Sequence, residues 1–185
     1  MVKYISPTAK VGKWTTMGRF CVVDDNVTIG ESCQLGNNVV VHEGTVIGSN
    51  VRIDDGTVVG KQPMRAANSA VTKEQELPAA QVGDNCIIGT NAVIYAGSTI
   101  GEKVLVADLA TIRENVSVGD FTIVGRNVAI ENYCKIGSYC KLETNVYITA
   151  YSELEDHVFV APCAVTSNDN FVGRTKERFK HFKGV

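Results

Sequence analysis

Length, composition and charge limit the classes of protein to which this chain can belong. Its 185 residues can bury the core of one domain. It carries 18 basic and 20 acidic residues, a balance that excludes the strongly basic surface typical of nucleic-acid-binding proteins. No apolar stretch is long enough to span a bilayer, and residues 1–10 lack the apolar segment of an export signal. We therefore expect a cytoplasmic protein with a small-molecule substrate, no nucleic-acid partner and no membrane span.

An aliphatic residue recurs every six positions through most of the chain. The repeat runs from Ile5 to Val59, slips, and resumes from Val82 to Val160, and all 24 of these positions hold Ile, Leu, Val or Met. Four residues after each one, 23 of the 24 positions hold Ala, Val, Ser, Thr or Cys, and Pro63 is the exception. Glycine directly follows the aliphatic residue in 12 of the 24 repeats, where we expect a corner that needs its conformational freedom.

A period of six residues matches neither an α-helix nor a hairpin, and a fixed repeat of this kind predicts a solenoid. Each hexapeptide would form a short strand and a corner, and three hexapeptides would form a triangular coil of 18 residues. The aliphatic side chains would point inward, and stacked coils would bury one another's apolar faces. The sequence therefore predicts an all-β parallel β-helix of about eight coils in one domain.

Two segments depart from the repeat. Residues 65–81 are 17 extra positions, and we predict an insertion that loops out of a corner. Loops of this length often carry function, so the insertion is either a solvated excursion or a segment that reaches a ligand or a neighbouring subunit. The second departure, residues 166–185, is a basic tail after the repeat region of residues 1–165, and it either binds phosphate or is solvated.

The cysteines and histidines do not predict a metal site or a cysteine nucleophile. A β-helix carbonic anhydrase would need three histidines that converge on a metal, and His42, His157 and His181 lack the required close grouping. Cys163 alone makes no zinc site. The other five cysteines occupy the small position of the repeat, where a thiol packs as a compact hydrophobe: Cys21, Cys33, Cys86, Cys134 and Cys140.

The repeat resembles that of the hexapeptide-repeat acyltransferases, and residues 137–174 are most similar to sugar-nucleotide N-acetyltransferases. The closest matches are Glu-Thr-Asn-Val-Tyr-Ile at 143–148, Leu-Glu-Asp-His-Val-Phe-Val-Ala-Pro at 154–162 and Thr-Ser-Asn-Asp-Asn at 166–170. The resemblance implies a left-handed β-helix and a homotrimer with active sites in the grooves between β-helices. It also implies transfer of an acyl group, usually acetyl, to the amino group of a nucleotide-linked sugar, with acetyl-CoA or another acyl-CoA as co-substrate and no permanently bound cofactor.

The resemblance implies catalytic roles for two residues. Asn145 matches the family's asparagine that positions the acceptor amine or the thioester carbonyl. Since residues 18 apart lie on successive coils, Asn127 should be its neighbour, and we take Asn127 as a substrate-binding candidate. His157 is the general-base candidate, and the same spacing places Tyr139 directly below it. We expect His42, six to seven coils away, to be solvated or to lie in a subunit contact.

Four further residues are substrate-binding candidates by resemblance: Asn168, Asp169, Asn170 and Arg174. They lie where the family's chain bulges toward the acceptor pocket. Asn and Asp side chains suit sugar hydroxyls, and Arg suits a diphosphate or carboxylate. Related enzymes add further coils after this bulge. We therefore expect either that the tail folds back as a cap or that the chain is part of a longer protein.

Three other functions stay open at this point. O-acetylation of a sugar hydroxyl would make His157 indispensable, because a hydroxyl is a poor nucleophile without a base. An acyl carrier protein-dependent acyltransferase is a second alternative, and the insertion has parallels there. The third is a non-catalytic β-helix that binds a nucleotide sugar or acts as an assembly scaffold.

Overall fold

The fold is a parallel β-helix with a triangular cross-section. The computed structural model describes residues 3–64, 67, 76–169, 174 and 183–185, and it has 24 short strands in these ranges. Consecutive strands belong to different sheets and every third strand pairs in parallel, which gives three eight-stranded sheets. Among the described residues, no helix is long and apolar enough to cross a membrane. The predicted β-helix of eight coils is therefore confirmed.

The strands are distributed evenly over the three sheets, which we call A, B and C. Sheet A contains β1 (Tyr4–Ile5), β4 (Val22–Val23), β7 (Val40–Val41), β10 (Val58–Lys61), β13 (Val93–Tyr95), β16 (Thr111–Ile112), β19 (Ala129–Ile130) and β22 (Tyr147–Ile148). Sheet B contains β2 (Lys10–Val11), β5 (Thr28–Ile29), β8 (Val46–Ile47), β11 (Gln81–Val82), β14 (Thr99–Ile100), β17 (Ser117–Val118), β20 (Lys135–Ile136) and β23 (Glu153–Leu154). Sheet C contains β3 (Thr16–Met17), β6 (Gln34–Leu35), β9 (Arg52–Ile53), β12 (Ile87–Ile88), β15 (Leu105–Val106), β18 (Ile123–Val124), β21 (Lys141–Leu142) and β24 (Phe159–Val160).

The three corners separate these sheets. Corner 1 joins sheet A to sheet B, corner 2 joins B to C, and corner 3 joins C to A. Because strands pair in register, residues 18 apart stand directly above one another, as Ile112 and Ile130 do. Each corner therefore presents columns of side chains along the axis of the β-helix.

The core contains the two residue types that define the repeat. The aliphatic residues of the middle coils, such as Ile47, Ile94 and Ile130, are fully buried. Residues at the small position are buried beside them, and their hydroxyls and thiols donate to a corner carbonyl of the next coil. Thr122 donates to the Gly137 carbonyl at 2.8 Å, and Cys33 donates to that of Gly48 at 3.1 Å. The packing role predicted for the five cysteines agrees with their burial.

Glycine at the corners has a different cause from the one we expected. The left-handed conformation occurs at the third corner residue, as in Asn127 with φ 55° and Asn145 with φ 62°. Of the described glycines that directly follow an aliphatic residue, only Gly60 has a positive φ. A Cβ at Gly30 would instead lie 2.6 Å from the backbone of Gly48 on the next coil. The expectation of conformational freedom was wrong, and close stacking of the coils is the reason for glycine there.

The insertion leaves and re-enters the β-helix at corner 1. Strand β10 continues past Val59 to Lys61, whose carbonyl accepts from the Ala96 amide at 2.9 Å. On the return, the Pro78 carbonyl accepts from the Gly97 amide at 2.7 Å. Ala80 is fully buried at the small position, which explains why Pro63 does not fit the repeat. Residues 65–66 and 68–75 lie outside the described residues, and so does the predicted reach of the insertion.

The last described residues lie on the top coil. The Glu153 amide donates to the Val185 carbonyl at 2.8 Å, and the Gly184 amide donates to the Tyr151 carbonyl at 3.1 Å. Earlier in this region, the Asn168 side chain donates to the Ala150 carbonyl at 3.1 Å. Residues 183–185 therefore cover part of the top coil, as a capping tail would.

Candidate functional site

Asn127 and Asn145 lie one above the other at corner 3, as the 18-residue spacing predicts. The Asn127 amide donates to Oδ1 of Asn145 at 2.9 Å, and Nδ2 of Asn145 lies 3.9 Å from Sγ of Cys163. Both asparagines are exposed. They form a ladder of side-chain amides along this corner, and their catalytic and binding roles stay predictions.

His157 lies at corner 2, at the end of a column of stacked rings. Its ring centroid lies 5.0 Å from that of Tyr139, and Tyr139 lies 4.9 Å from Phe121. Below them, Nζ of Lys103 lies 4.8 Å from the centroid of the Phe121 ring. The predicted aromatic neighbour of His157 is therefore present. The histidine itself is exposed.

The remaining candidates lie at corner 1 and beyond it. Asn168 is partly buried against the coil below through its bond to Ala150, and Asp169 follows it. Arg174 is exposed, whereas Asn170 lies outside the described residues. Asn145, His157 and Asn168 thus occupy three different corners, and a single chain does not bring them into one site.

Corner 1 carries a buried charged cluster that sequence reasoning missed. The guanidinium of Arg113 binds the carboxylate of Glu114 through Nε at 2.8 Å and Nη2 at 3.1 Å. Its Nη1 lies 3.5 Å from Oε2 of Glu131, and the guanidinium lies 5.1 Å from the centroid of the Tyr95 ring. Nζ of Lys61 lies 5.1 Å from the centroid of the same ring. Because the Glu114 side chain is only 3% exposed, Arg113 compensates a charge that water cannot solvate.

The environment of this cluster shifts several pKa values. Burial raises the pKa of Glu131, and this outweighs the opposing effect of Arg113. Burial is the largest effect on the pKa of Arg113 and lowers it, but the hydrogen bonds to Glu114 and the charges of Glu114 and Glu131 together give a net increase. Burial also raises the pKa of Tyr147, and the nearby Glu131 adds to the effect. The surroundings of this cluster thus favour the neutral forms of the Glu131 carboxyl and the Tyr147 phenol.

The sequence contains a signal for this cluster. Tyr95, Arg113 and Glu131 are 18 residues apart and stand directly after an aliphatic residue, where glycine is common elsewhere. Three large side chains in one such column distinguish corner 1 from the other corners.

A second feature of corner 1 involves the histidine that we expected to be solvated or in a subunit contact. Nδ1 of His42 lies 3.1 Å from Oδ2 of Asp24, one coil below. The two residues are 18 apart, so the column arithmetic that identified the Asn127–Asn145 pair also identifies this pair. Among the described residues, no group of three or more His, Cys, Asp or Glu side chains is arranged to hold a metal ion.

Comparison with protein families gives two matches. The model of the GMPPB C-terminal domain matches residues 70–176, more than half of the chain, and that of the bacterial transferase hexapeptide (six repeats) matches residues 26–61. No curated protein is significantly similar to the chain.

Comparison with solved structures gives acyltransferases. The UDP-N-acetylglucosamine acyltransferase of Francisella novicida has a TM-score of 0.81 at 24% identity, and the match covers 88% of this chain and 60% of that enzyme. The UDP-N-acetylglucosamine acyltransferase LpxA of Bacteroides fragilis has a TM-score of 0.74 at 22% identity, with coverages of 96% and 79%. A variant of the perosamine N-acetyltransferase of Caulobacter crescentus, bound to CoA and GDP-perosamine, has a TM-score of 0.50 at 14% identity, with coverages of 86% and 52%. At these identities the likeness establishes a shared fold.

Proposed function

This chain belongs to the GMPPB C-terminal domain family. We propose that it is a CoA-dependent acyltransferase that transfers an acetyl group from acetyl-CoA to the amino group of a nucleotide-linked amino sugar. The observation that carries the proposal is the superposition of 88% of the chain on a nucleotide-sugar acyltransferase with a TM-score of 0.81. The sequence resemblance of residues 137–174 to sugar-nucleotide N-acetyltransferases supports the choice of an amine as acceptor.

The reaction would need only a base and hydrogen-bond donors from the protein. The amine nitrogen attacks the acyl carbon of the thioester, the C–N bond forms, the C–S bond breaks, and the thiolate leaves. A base takes the proton that the amine loses, and hydrogen-bond donors stabilise the oxyanion. In this proposal, Asn145 positions the acceptor amine or the thioester carbonyl, and Asn127, Asn168, Asp169, Asn170 and Arg174 bind the nucleotide sugar.

The separation of these residues over three corners supports a homotrimer, because a groove between two chains can combine different corners. The outer face of sheet A is the least polar of the three and would form the contact. Its outward residues include Val22, Val40, Val58, Val93 and Ala129, all half-buried. The corresponding face of sheet B includes Lys10, Gln81, Lys135 and Glu153.

His157 separates amine acylation from O-acetylation. A hydroxyl acceptor requires a base, so His157→Ala would abolish O-acetylation, whereas an amine that is already deprotonated would lose only part of its rate. The measurement is the rate of product formation with an amino-sugar nucleotide and with its hydroxyl counterpart. Complete loss with the amine acceptor would contradict this part of the proposal.

A binding or scaffold β-helix without catalysis is the second candidate. It is favoured by the family model, which describes a C-terminal domain. The chain spans 60% of the length of the Francisella enzyme.

Isothermal titration calorimetry with acetyl-CoA tests the proposal against this candidate. We expect saturable binding with one acetyl-CoA per chain, and CoA as a competitor. An absence of heat at all concentrations would exclude the CoA-dependent enzyme and leave an acyl carrier protein donor or the binding protein.

A further inference from the structure

The first coil of the β-helix, residues 4–21, carries charges of one sign. Its strands β1, β2 and β3 are the edge strands of the three sheets. Residues 1–23 contain no Asp or Glu, and the acidic residues of the chain begin on the second coil, at Asp24. Among the described residues, no ion pair involves a basic residue of this region. These basic residues are all exposed: Lys3, Lys10, Lys13 and Arg19.

Two large aromatic side chains lie at exposed corners of the first coil. Trp14 is at corner 2 and is 75% exposed, and Phe20 is at corner 3 and is 58% exposed. Each ring directly follows a basic residue, Lys13 or Arg19. Strand β3 therefore has a basic residue and an aromatic residue next to each of its two ends.

The backbone conformation at both rings is unfavourable for a bulky residue. Trp14 and Phe20 each have φ 59°, and the same positions on the next coil hold Ser32 and Asn38. Small polar residues such as Asn adopt a positive φ more readily than aromatic residues. Within the ranges that the structure describes, neither ring makes a stacking or cation–π contact. Departures of this kind concentrate at functional sites, so the two rings call for a partner outside the chain.

The first coil also exposes the end of the apolar core. Val11 is an inward-pointing residue of the repeat, yet it is 38% exposed, whereas Ile47 in the same column is 1% exposed. The other two inward aliphatic residues of this coil, Ile5 and Met17, are half-buried. The end of the β-helix is thus an apolar surface surrounded by aromatic rings and positive charges, and an exposed apolar surface of this kind indicates an interaction site.

We propose that the first coil docks the protein on the surface of an anionic lipid bilayer without spanning it. The basic side chains bind lipid phosphates, and Trp14 and Phe20 insert at the boundary between headgroups and acyl chains, where amphipathic rings are favoured. This inference does not depend on the proposed acyl transfer.

The charges and the positions of the rings select this partner. A second copy of the same coil would bring charges of the same sign together, which is repulsive. Single-stranded nucleic acid is bound by rings on which successive bases stack. Trp14 and Phe20 lie at different corners, so they do not form such a platform. A bilayer combines negative charge with an apolar interior, and it therefore matches both the basic residues and the open end of the core.

The fluorescence of Trp14 tests the docking, because the chain has 1 Trp. The protein is titrated with vesicles of phosphatidylglycerol and phosphatidylcholine, and sedimentation of the vesicles measures the bound fraction. We expect a saturable blue shift of the emission, since the indole leaves water. Vesicles of phosphatidylcholine alone should give no shift. Added salt should reverse the binding, because it screens the attraction between exposed charges.

Two variants of equal net charge separate the first coil from the rest of the surface. The test variant carries Lys10→Gln, Lys13→Gln and Arg19→Gln, and we expect its partition coefficient on anionic vesicles to fall about 100-fold. The control removes three exposed basic residues from other coils and should bind as the native chain does. Its changes are Arg52→Gln, Lys103→Gln and Lys141→Gln.

A second pair of variants tests the rings. We expect Phe20→Ala to lower the partition coefficient about tenfold, because the bilayer no longer receives an apolar ring. Phe121→Ala is the matched control, since Phe121 is an exposed ring with φ 57° at corner 2, away from the first coil. It should bind anionic vesicles as the native chain does. Circular dichroism of each variant verifies that it is folded.

Several results would overturn the inference. One is Trp14 emission that anionic vesicles leave unchanged, and another is equal binding to vesicles of phosphatidylcholine alone. A test variant that binds as tightly as the control variant would show that the basic residues of the first coil do not dock the protein. A blue shift with a DNA oligonucleotide or with polyglutamate, but not with anionic vesicles, would assign the first coil to a nucleic-acid or acidic protein partner and refute membrane docking.

Discussion

The ionisation of the Glu131 carboxyl depends on its surroundings at corner 1. It is partly buried next to Arg113, and the nearby Glu114 is a second carboxylate. Burial and the like charge both disfavour ionisation, and Arg113 offsets them only in part. The carboxyl therefore holds its proton to a higher pH in the folded chain than in the unfolded chain.

This shift predicts a pH dependence of stability. Because the pKa of Glu131 is higher in the folded chain than in the unfolded chain, this carboxyl contributes to the stability of the folded chain. That contribution is fully present below the unfolded pKa of about 4.3 and is lost as the pH rises through the folded pKa. Glu131→Gln removes this titration. We expect the Tm of the Glu131→Gln variant to rise relative to the Tm of the native chain as the pH increases from acidic to neutral. Scanning calorimetry at several pH values measures this difference. A constant Tm difference over that range would contradict the assignment.

The cysteines give a second prediction at this scale. Burial raises the pKa of Cys86 and of Cys134 to about 11, whereas Cys163 is exposed. A thiol reagent at neutral pH should therefore modify one thiol per folded chain and all 6 after unfolding. Cys163→Ser should leave none reactive in the folded chain. Rapid modification of two or more thiols in the native protein would contradict the packing role.

The sequence predicts contacts within a column of stacked residues better than contacts between neighbouring residues of one corner. The spacing of 18 placed Asn127 beside Asn145 and Tyr139 beside His157, because strand register alone determines both contacts. The contact of Arg113 with Glu114 depends on side-chain rotamers, which a repeat does not encode. Asp24 and His42 obey the same spacing.

At the scale of the strand and corner, the tight stacking of coils explains where glycine is required. A Cβ at Gly30 would lie 2.6 Å from backbone atoms of Gly48. We expect Gly30→Ala to destabilise the chain by about 1–3 kcal/mol through overpacking, measured by chemical denaturation. Glu31→Ala, at the adjacent exposed position, is the control and should change stability little. Equal stability of the two variants would contradict the stacking explanation.

The sequence predicted the positions of the regular strands, but it did not predict the greater length of the irregular strands. Most strands are two residues long and end at the repeated aliphatic residue, as in Thr99–Ile100. Strands β10 and β13 are longer. Their extra residues pair across the bulge at the insertion, where Lys61 lies opposite Tyr95. A hexapeptide count cannot anticipate this pairing, because the insertion falls outside the repeat.

For the whole molecule, the proposed trimer depends on the apolar outer face of sheet A. Val22→Lys places a charge on this face, and we expect it to convert the trimer into monomers in light scattering. Thr28→Lys places the same charge on the outer face of sheet B and should leave the mass unchanged. A monomeric mass for the native chain would refute the groove model, and a trimeric Val22→Lys variant would assign the contact to another face.

Transfer of an acetyl group tests the central claim most directly. The chain is incubated with isotopically labelled acetyl-CoA and a set of UDP- and GDP-linked amino sugars, and the products are identified by mass spectrometry. This detection avoids thiol reagents, which would also react with Cys163. The account predicts a labelled N-acetyl product with at least one acceptor. If the protein is folded and binds acetyl-CoA, but the labelled acetyl group remains on CoA with every acceptor, the account is contradicted.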